Sequence, residues 1–321
     1  MADIDRVLRS NLKLRHLQLL VALDQFRHLG RASAFLSLTQ PAVSKTLAEI
    51  ERLFGVPLFD RSTRGTEPTP YGLSVVRFAR SVLSEYERTR DELAAVAAGA
   101  TGRVRVGAMV VASVWLTQAV RQFKQQQPLT TLLVEEGDLM RLLPRLRLGE
   151  LDLILGRLEP GYAAPDLVTE ALYDEPMVWV SAPGHALAQG RKPGWADLAR
   201  QACVLPPPYA SLRVKIDQQF HRHGLHPPVD LMETASFGAM VSLLHGRDAV
   251  GVMARSVARH FAALGLLQVL PLPLQLDLPP VGIVSLRATV PGPGAAQFGA
   301  CARAAAPRSR SHGRPRPSAQ R

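Results

Sequence analysis

The stretch Thr39-Gln40-Pro41-Ala42-Val43-Ser44-Lys45 constrains this chain more than any other. It opens a helix: the Thr39 hydroxyl is placed to accept from free backbone N–H groups of a first turn, and Pro41 falls inside that turn, where its missing donor costs nothing. Val43, Leu47, Ile50 and Phe54 then step by four, three and four into one buried stripe, which leaves Gln40, Ser44 and Lys45 pointing outward. Ahead of it, Arg31 to Leu36 predicts a short helix whose Ala32 and Leu36 share a face. Before that, Leu14, Leu17, Leu20, Val21 and Leu23 predict a first helix ended by Gly30. A short helix, a three- to four-residue turn and a second helix with polar residues at its start is the arrangement that carries side chains into a major groove. An amide such as Gln40 can pair bidentately with adenine there.

After Gly55 the segment VPLFDRSTRGTEPT alternates apolar and basic residues around Gly65. This predicts a two-stranded wing with Arg61 and Arg64 available for phosphates. Residues 12–69 thus form one winged helix-turn-helix module, its helix-turn-helix at about 29–48. Glu49, Glu51 and Asp60 oppose a polyanion, so the affinity of a single module is expected to be moderate. From Pro70 to Ala98 a long helical pattern follows, in which Val76, Ala79, Leu83, Tyr86 and Leu93 keep a three-four spacing if Arg90 takes one position. That narrow seam predicts a dimerisation helix over 70–98, with packing against its own chain as the alternative. Gly99-Ala100-Thr101-Gly102 marks a linker.

From Arg103 strand and helix patterns alternate. VRVGAM, TLLVEEG and LDLILG read as strands separated by helices to Gln127 and Leu148, which predicts a parallel sheet with crossover helices. LVTEALYDEPMVWVSAP adds strands, Trp195 to Ala199 a short helix, SLRVKIDQQFHRHG an amphipathic helix, and Val229 to Met232 a strand. The expected fold is α/β: two lobes over 103–290 with a ligand-binding cleft at strand C-termini and helix N-termini.

The formal charge of +11 points to a polyanion partner, but its distribution matters more than its size. Residues 1–99 hold 14 Lys or Arg against 11 Asp or Glu, while residues 301–321 hold six arginines and no acid. More than half of the excess therefore lies at the end, and residues 291–321 read as a basic, disordered tail. No uncharged run reaches the roughly 20 apolar residues of a membrane span, and the N-terminus does not resemble an export signal, so the chain is expected in the cytoplasm.

The residues Ala32, Leu36, Thr39, Gln40, Pro41, Ala42, Val43, Ser44, Leu47, Glu51, Leu53, Gly55, Leu58, Phe59, Arg61, Gly65, Thr69 and Gly72, in that order, resemble the LysR-type transcriptional regulators. The resemblance implies a dimer or tetramer that binds double-stranded promoter DNA, joined by the long helix, with a periplasmic-binding-protein-like domain for a small-molecule effector. It places Thr39, Gln40, Pro41, Ser44 and Lys45 at base edges and nearby phosphates, and Arg64 on the wing. It places effector contacts at Val110, Val111 and Ser113, at Tyr209 and Ser211, and at Ser236 and Phe237. Plain N-capping is the alternative role for the three serines. Within the family, the chain looks most like regulators of sugar-binding-protein genes and of aromatic-acid catabolism, which implies a sugar or an aromatic or organic acid as effector.

Other classes find little support. An enzyme with an accessory helical module would need a nucleophile with its base, or a metal set, and the sequence offers no GxSxG, HExxH or P-loop. A small-molecule-binding protein that never meets DNA leaves the TQPAVSK helix unexplained. His221, His223 and His226 straddle a helix end without a carboxylate or cysteine at ligand spacing, so neither a metal nor another cofactor is expected. Cys203 and Cys301 lie far apart and read as packing.

Overall fold

A computed structural model describes residues 7–62, 65–97, 102–189, 192–287 and 289–307. They fall into two units, one built on residues 1–102 with 147–150 and the other on 103–146 with 151–321.

In the first unit a helical turn at Val7–Asn11 precedes α1 (Leu14–Phe26), α2 (Leu29–Phe35) and α3 (Gln40–Phe54). Strands β1 (Phe59–Ser62) and β2 (Gly65–Pro68) then lead into α4 (Pro70–Ala97). Leu19, Leu20 and Leu23 of α1 close over Val43, Leu47, Ile50 and Phe54 of α3, together with Leu58, Phe59 and Val76. The first helix stops earlier than its pattern predicts. Arg27 takes a left-handed φ of 48° and its N–H bonds the Leu23 carbonyl, while His28 accepts from Gly30 N at 3.0 Å and so starts α2 two residues ahead of the predicted Arg31. Gly30, expected to end α1, lies inside α2.

The wing pairs antiparallel in the register Phe59↔Pro68, Asp60↔Glu67, Arg61↔Thr66 and Ser62↔Gly65. Thr69 joins it to α4: its N–H bonds the Leu58 carbonyl at 2.9 Å, and its Oγ1 accepts from Gly72 N at 3.0 Å. Along α4, Val76 and Ala79 are buried within this unit, where the helix packs on α1.

The second unit holds two five-stranded sheets. The first has the order β4 (Thr131–Glu136), β3 (Arg103–Ala108), β5 (Leu153–Arg157), β12 (Val281–Leu286), β6 (Leu167–Tyr173). The second has the order β11 (Gln268–Val269), β7 (Met177–Ser181), β10 (Val250–Ala254), β8 (Cys203–Leu205), β9 (Leu231–Glu233). The sheets are mixed where a parallel sheet is predicted. β3 pairs parallel with β4 and β5, but β12 returns antiparallel between β5 and β6, and β10 runs parallel to β8 and antiparallel to β7. The reason is topological: the chain leaves the first lobe after β6, builds the second, and comes back to finish the first.

On the first sheet α5 (Ser113–Gln126) packs beside α11 (Pro293–Ala305), and Leu142, Leu143 and Leu146 of α6 (Leu139–Arg147) enter a separate apolar cluster with Ile154 and Tyr162. The second lobe carries α7 (Trp195–Leu198), α8 (Ser211–Arg222), α9 (Phe237–Arg247) and α10 (Arg255–Ala263). Helix α11 corrects the expectation of a disordered tail from residue 291. Gly292 is its N-cap and Pro293 its first residue, and Phe298, Cys301 and Ala302 are buried. Trp115 Nε1 donates to the Ala302 carbonyl at 2.8 Å, and the Phe123 and Phe298 rings meet edge to face at 5.5 Å. Of the six arginines in residues 301–321, the five beyond Pro307 lie outside the described residues. Among the described residues no helix is long and apolar enough to cross a membrane.

Candidate nucleic-acid interface and effector cleft

The start of α3 has the geometry its sequence requires. Thr39 is the N-cap, in extended backbone, and its Oγ1 accepts from Ala42 N at 3.4 Å. Gln40 and Pro41 form the first turn, exposed together with Thr39 and Lys45, while Ser44 is half-buried. Val43 and Leu47 behind them are fully buried, so the exposed edge sits on a fixed core. Strand β1 places Arg61 opposite Thr66; Arg64 lies outside the described residues.

Glu51, expected only to oppose DNA, has a structural task. Its Oε1 accepts from Leu58 N at 2.8 Å and Phe59 N at 3.1 Å and fixes the base of the wing to α3. Arg27 is a second residue that periodicity does not single out, because its role depends on a left-handed turn whose signal is normally glycine. Its guanidinium bonds Asp24, whose other oxygen accepts from Arg80 of α4 at 2.9 Å.

The five seam residues of α4 divide. Val76 and Ala79 are committed to the core of their own unit, and Leu83 is half-buried. Tyr86 and Leu93 are 48% and 69% exposed, and are the seam positions on an open face.

In the second unit, β3 ends at Ala108, and Met109 N bonds the Leu155 carbonyl of β5 at 2.9 Å. Val110–Ala112 forms one tight turn, and α5 begins at Ser113. Ser113 and Ser211 are first helical residues after Ala112 and Ala210, and neither helix has a side-chain cap. Their alternative role as N-caps is therefore not what the structure shows. Ser236 does cap α9, accepting from Ala239 N at 3.3 Å, and Thr234 Oγ1 accepts from Ser236 N at 3.0 Å.

The structure brings these groups to the strand ends. Parallel β8 and β9 stop in register at Leu205 and Glu233, so the loop to the exposed Tyr209 and Ser211 runs beside the Ser236 loop. Phe237 packs on Phe261 of α10 with ring centroids 4.7 Å apart, and α10 packs on the Val110–Ala112 turn and on α5. Val111 and Phe237 border the same apolar cluster.

Two arginines near these ends were not singled out by sequence. Arg213, in the first turn of α8, is buried; burial works against its charge, but Glu233 and Asp217 hold the guanidinium above its ordinary range. Its Nε meets both Asp217 oxygens at 3.0 Å and one terminal nitrogen meets Glu233 at 2.6 Å. The i,i+4 pair with Asp217 is visible in the sequence; Glu233 comes from another element. Arg157, at the end of β5, donates to the Pro279 carbonyl at 2.5 Å and the Glu175 carbonyl at 2.8 Å, one on each of the two segments that pass between the lobes. Burial lowers its pKa from the ordinary arginine value.

The histidine trio is dispersed. His223 stacks on Trp195 at 4.6 Å and its Nδ1 meets the Gln219 carbonyl at 2.8 Å, while the His221 and His226 rings are 6.5 Å apart. Both cysteines are buried, which pushes the Cys203 thiol up to about 12 and raises that of Cys301.

The model of bacterial regulatory helix-turn-helix proteins of the lysR family matches residues 14–73, and the LysR substrate binding domain model matches residues 97–307. The HTH-type transcriptional regulator GbpR of Azospirillum brasilense is 34% identical over 302 residues, 93% of this chain and 88% of the relative. The HTH-type transcriptional regulator GalR of Pseudomonas putida is 31% identical over 290 residues, 90% of this chain and 73% of the relative. Among solved structures, CbnR, a LysR family transcriptional regulator, shares the fold with a TM-score of 0.70 at 19% identity, over 92% of this chain and 100% of that one; its complex with target DNA gives 0.69. With a substrate-binding model over more than half its length and a relative of this identity along nearly all of it, the chain belongs to the LysR family of transcriptional regulators.

Proposed function

We propose that residues 12–69 of this DNA-binding regulator read promoter DNA, residues 70–98 join two copies, and residues 103–290 sense a small metabolite. The observation that carries the reading is the start of α3, where exposed Gln40 and Lys45 stand on the buried Val43–Leu47 stripe. Gln40 and Ser44 read base edges, while Thr39, Pro41 and Lys45 lie along the backbone. Arg61 and Arg64 of the wing neutralise phosphates.

The exposed Tyr86 and Leu93 support dimerisation through the open face of α4, and two dimers pairing would give a tetramer. The effector, a sugar or an aromatic or organic acid, is held at Val110, Val111 and Ser113, at Tyr209 and Ser211, and at Ser236 and Phe237. Backbone N–H groups at helix starts and nearby hydroxyls there favour a neutral or anionic ligand. The protein works in the cytoplasm by binding, without catalysis, metal or cofactor.

The test is a gel shift with the DNA upstream of the protein's own gene against random duplex. Gln40→Ala is expected to weaken operator binding by about 1–3 kcal/mol per half-site and to leave random-duplex binding unchanged, because a neutral amide contributes nothing to counterion release. Equal loss on both duplexes, or no loss on the operator, would overturn the base-reading role.

A further inference from the structure

We propose that Arg27 is a positioning residue for DNA binding, which fastens the second strand of the wing to the end of α1 and, through Asp24, links it to the long helix. The inference rests on the reading that the wing meets phosphates. A ribbon of two four-residue strands has little stability of its own, so its direction relative to α3 must come from what holds it. Glu51 holds only its base, at Leu58 and Phe59.

The second strand is held by Arg27. The Arg27 carbonyl accepts from Thr66 N at 2.9 Å, and Thr66 is the cross-strand partner of Arg61. The approach is so close that a Cβ on the preceding residue, Gly65 at φ 140°, would stand 2.7 Å from that carbonyl. The left-handed backbone at Arg27 turns the carbonyl toward the wing, an uncommon conformation for a long side chain, held by the guanidinium. Its Nε donates to the Asp24 carbonyl at 2.6 Å, one terminal nitrogen to Asp24 Oδ1 at 2.8 Å, and the other pairs with Glu67, next to Thr66. Asp24 Oδ2 accepts in turn from Arg80 of α4 at 2.9 Å. The Arg27–Asp24 pair thus gathers α1, the wing and α4.

The test measures binding of the full chain to a short random-sequence duplex by fluorescence anisotropy between about 50 and 200 mM salt. Arg27→Gly keeps the left-handed backbone and loses the guanidinium. It is expected to lower the slope of log affinity against log salt by about 0.9 for each wing phosphate lost, so its deficit at low salt shrinks about 3.5-fold per contact across that range. Asp24→Asn separates positioning from direct contact. Removing an acid near DNA tightens binding on charge alone, whereas release of Arg27 and Arg80 weakens binding and lowers the slope. Arg61→Ala supplies the reference.

If Arg61→Ala leaves the slope unchanged, the wing reading fails and takes this inference with it. If Arg61→Ala lowers the slope while Arg27→Gly keeps the wild-type slope, or if Asp24→Asn binds more tightly, the role of Arg27 alone is overturned. Should Asp24→Asn lose its far-UV circular dichroism, Arg27→Gly decides.

Discussion

Gly72 sits where the wing turns into α4, and a methyl group there has nowhere to go. A Cβ on it would lie 1.9 Å from the Leu58 carbonyl oxygen and 3.3 Å from Pro68 Cβ. Real contacts to a backbone atom stay beyond 3.0 Å, so the carbonyl must retreat by about 1 Å. That movement breaks the Thr69 N–H bond to Leu58 O and disturbs the Thr69 Oγ1 cap on Gly72 N. Overpacking costs about 1–3 kcal/mol and the lost hydrogen bond about 0.5–1.5, against a helix-propensity gain of about 1 for alanine over glycine. The net loss for Gly72→Ala is about 2 kcal/mol, which lowers the melting temperature of a unit this size by about 8–16 °C. The same substitution at Gly246, in α9 with nothing but its own stretch of helix within 4 Å of its Cβ, is expected to gain about 0.4–1 kcal/mol. Melts of the two full-length variants by far-UV circular dichroism compare them directly. A Gly72→Ala chain that melts with the wild type would refute the steric argument, because the Leu58 carbonyl would then be free to yield.

Three further substitutions probe the open face of α4, the proposed effector site and the core of the first unit. Leu93→Asp sets a charge on the exposed face of α4, so sedimentation is expected to show monomers at concentrations where the wild type is dimeric, with unchanged folding; an intact dimer excludes that face. Ser113→Trp is expected to abolish the effector-dependent thermal shift found in a screen of sugars and aromatic acids, while leaving operator affinity at its effector-free value; a ligand that stabilises both chains equally binds elsewhere. His16, buried in α1 with Nδ1 accepting from Lys13 N, is held below its ordinary 6.5 chiefly by burial. The unfolded chain therefore takes up the proton first, and the first unit loses stability as pH falls below about 6.5, over the interval down to the lowered native value. Melts of wild type and His16→Phe between pH 7.5 and 5 read this, and parallel pH profiles would show that His16 contributes nothing.

What the sequence made legible is what local periodicity and capping chemistry encode. Thr39, Pro41 and the Val43–Phe54 stripe fix α3 because cap and apolar face lie within fifteen residues of one another. Features that depend on a distant partner were misread. Gly30 looked like a helix end because glycine is the usual left-handed residue, but Arg27 takes that conformation with Asp24 and Glu67 holding its side chain. Residues from 291 onward looked like a disordered tail, although Pro293 at the first helical position starts a helix whose stability comes from burying Phe298 against Phe123. Val76 and Ala79 carry the spacing of an intermolecular seam and are consumed by α1, because periodicity states that a face is apolar without naming its partner. The serines of the proposed effector site were visible in the sequence, but the buried Arg213 of α8 needed Glu233, twenty residues away on β9, before it could be recognised.

The placement of β12 and α11 has a consequence for how the chain is made. β12 is the strand that joins β5 to β6, and α11 covers α5, yet both emerge from the ribosome only after the whole second lobe. Until then the nascent first lobe carries two unpaired strand edges and an uncovered apolar helix, the surfaces on which growing chains associate wrongly. The DNA-binding unit, translated first and rich in local contacts, needs no such wait. A stalled or prematurely terminated chain would therefore present a folded operator reader on an unfinished sensor, and its release would place a regulator deaf to its signal on the promoter.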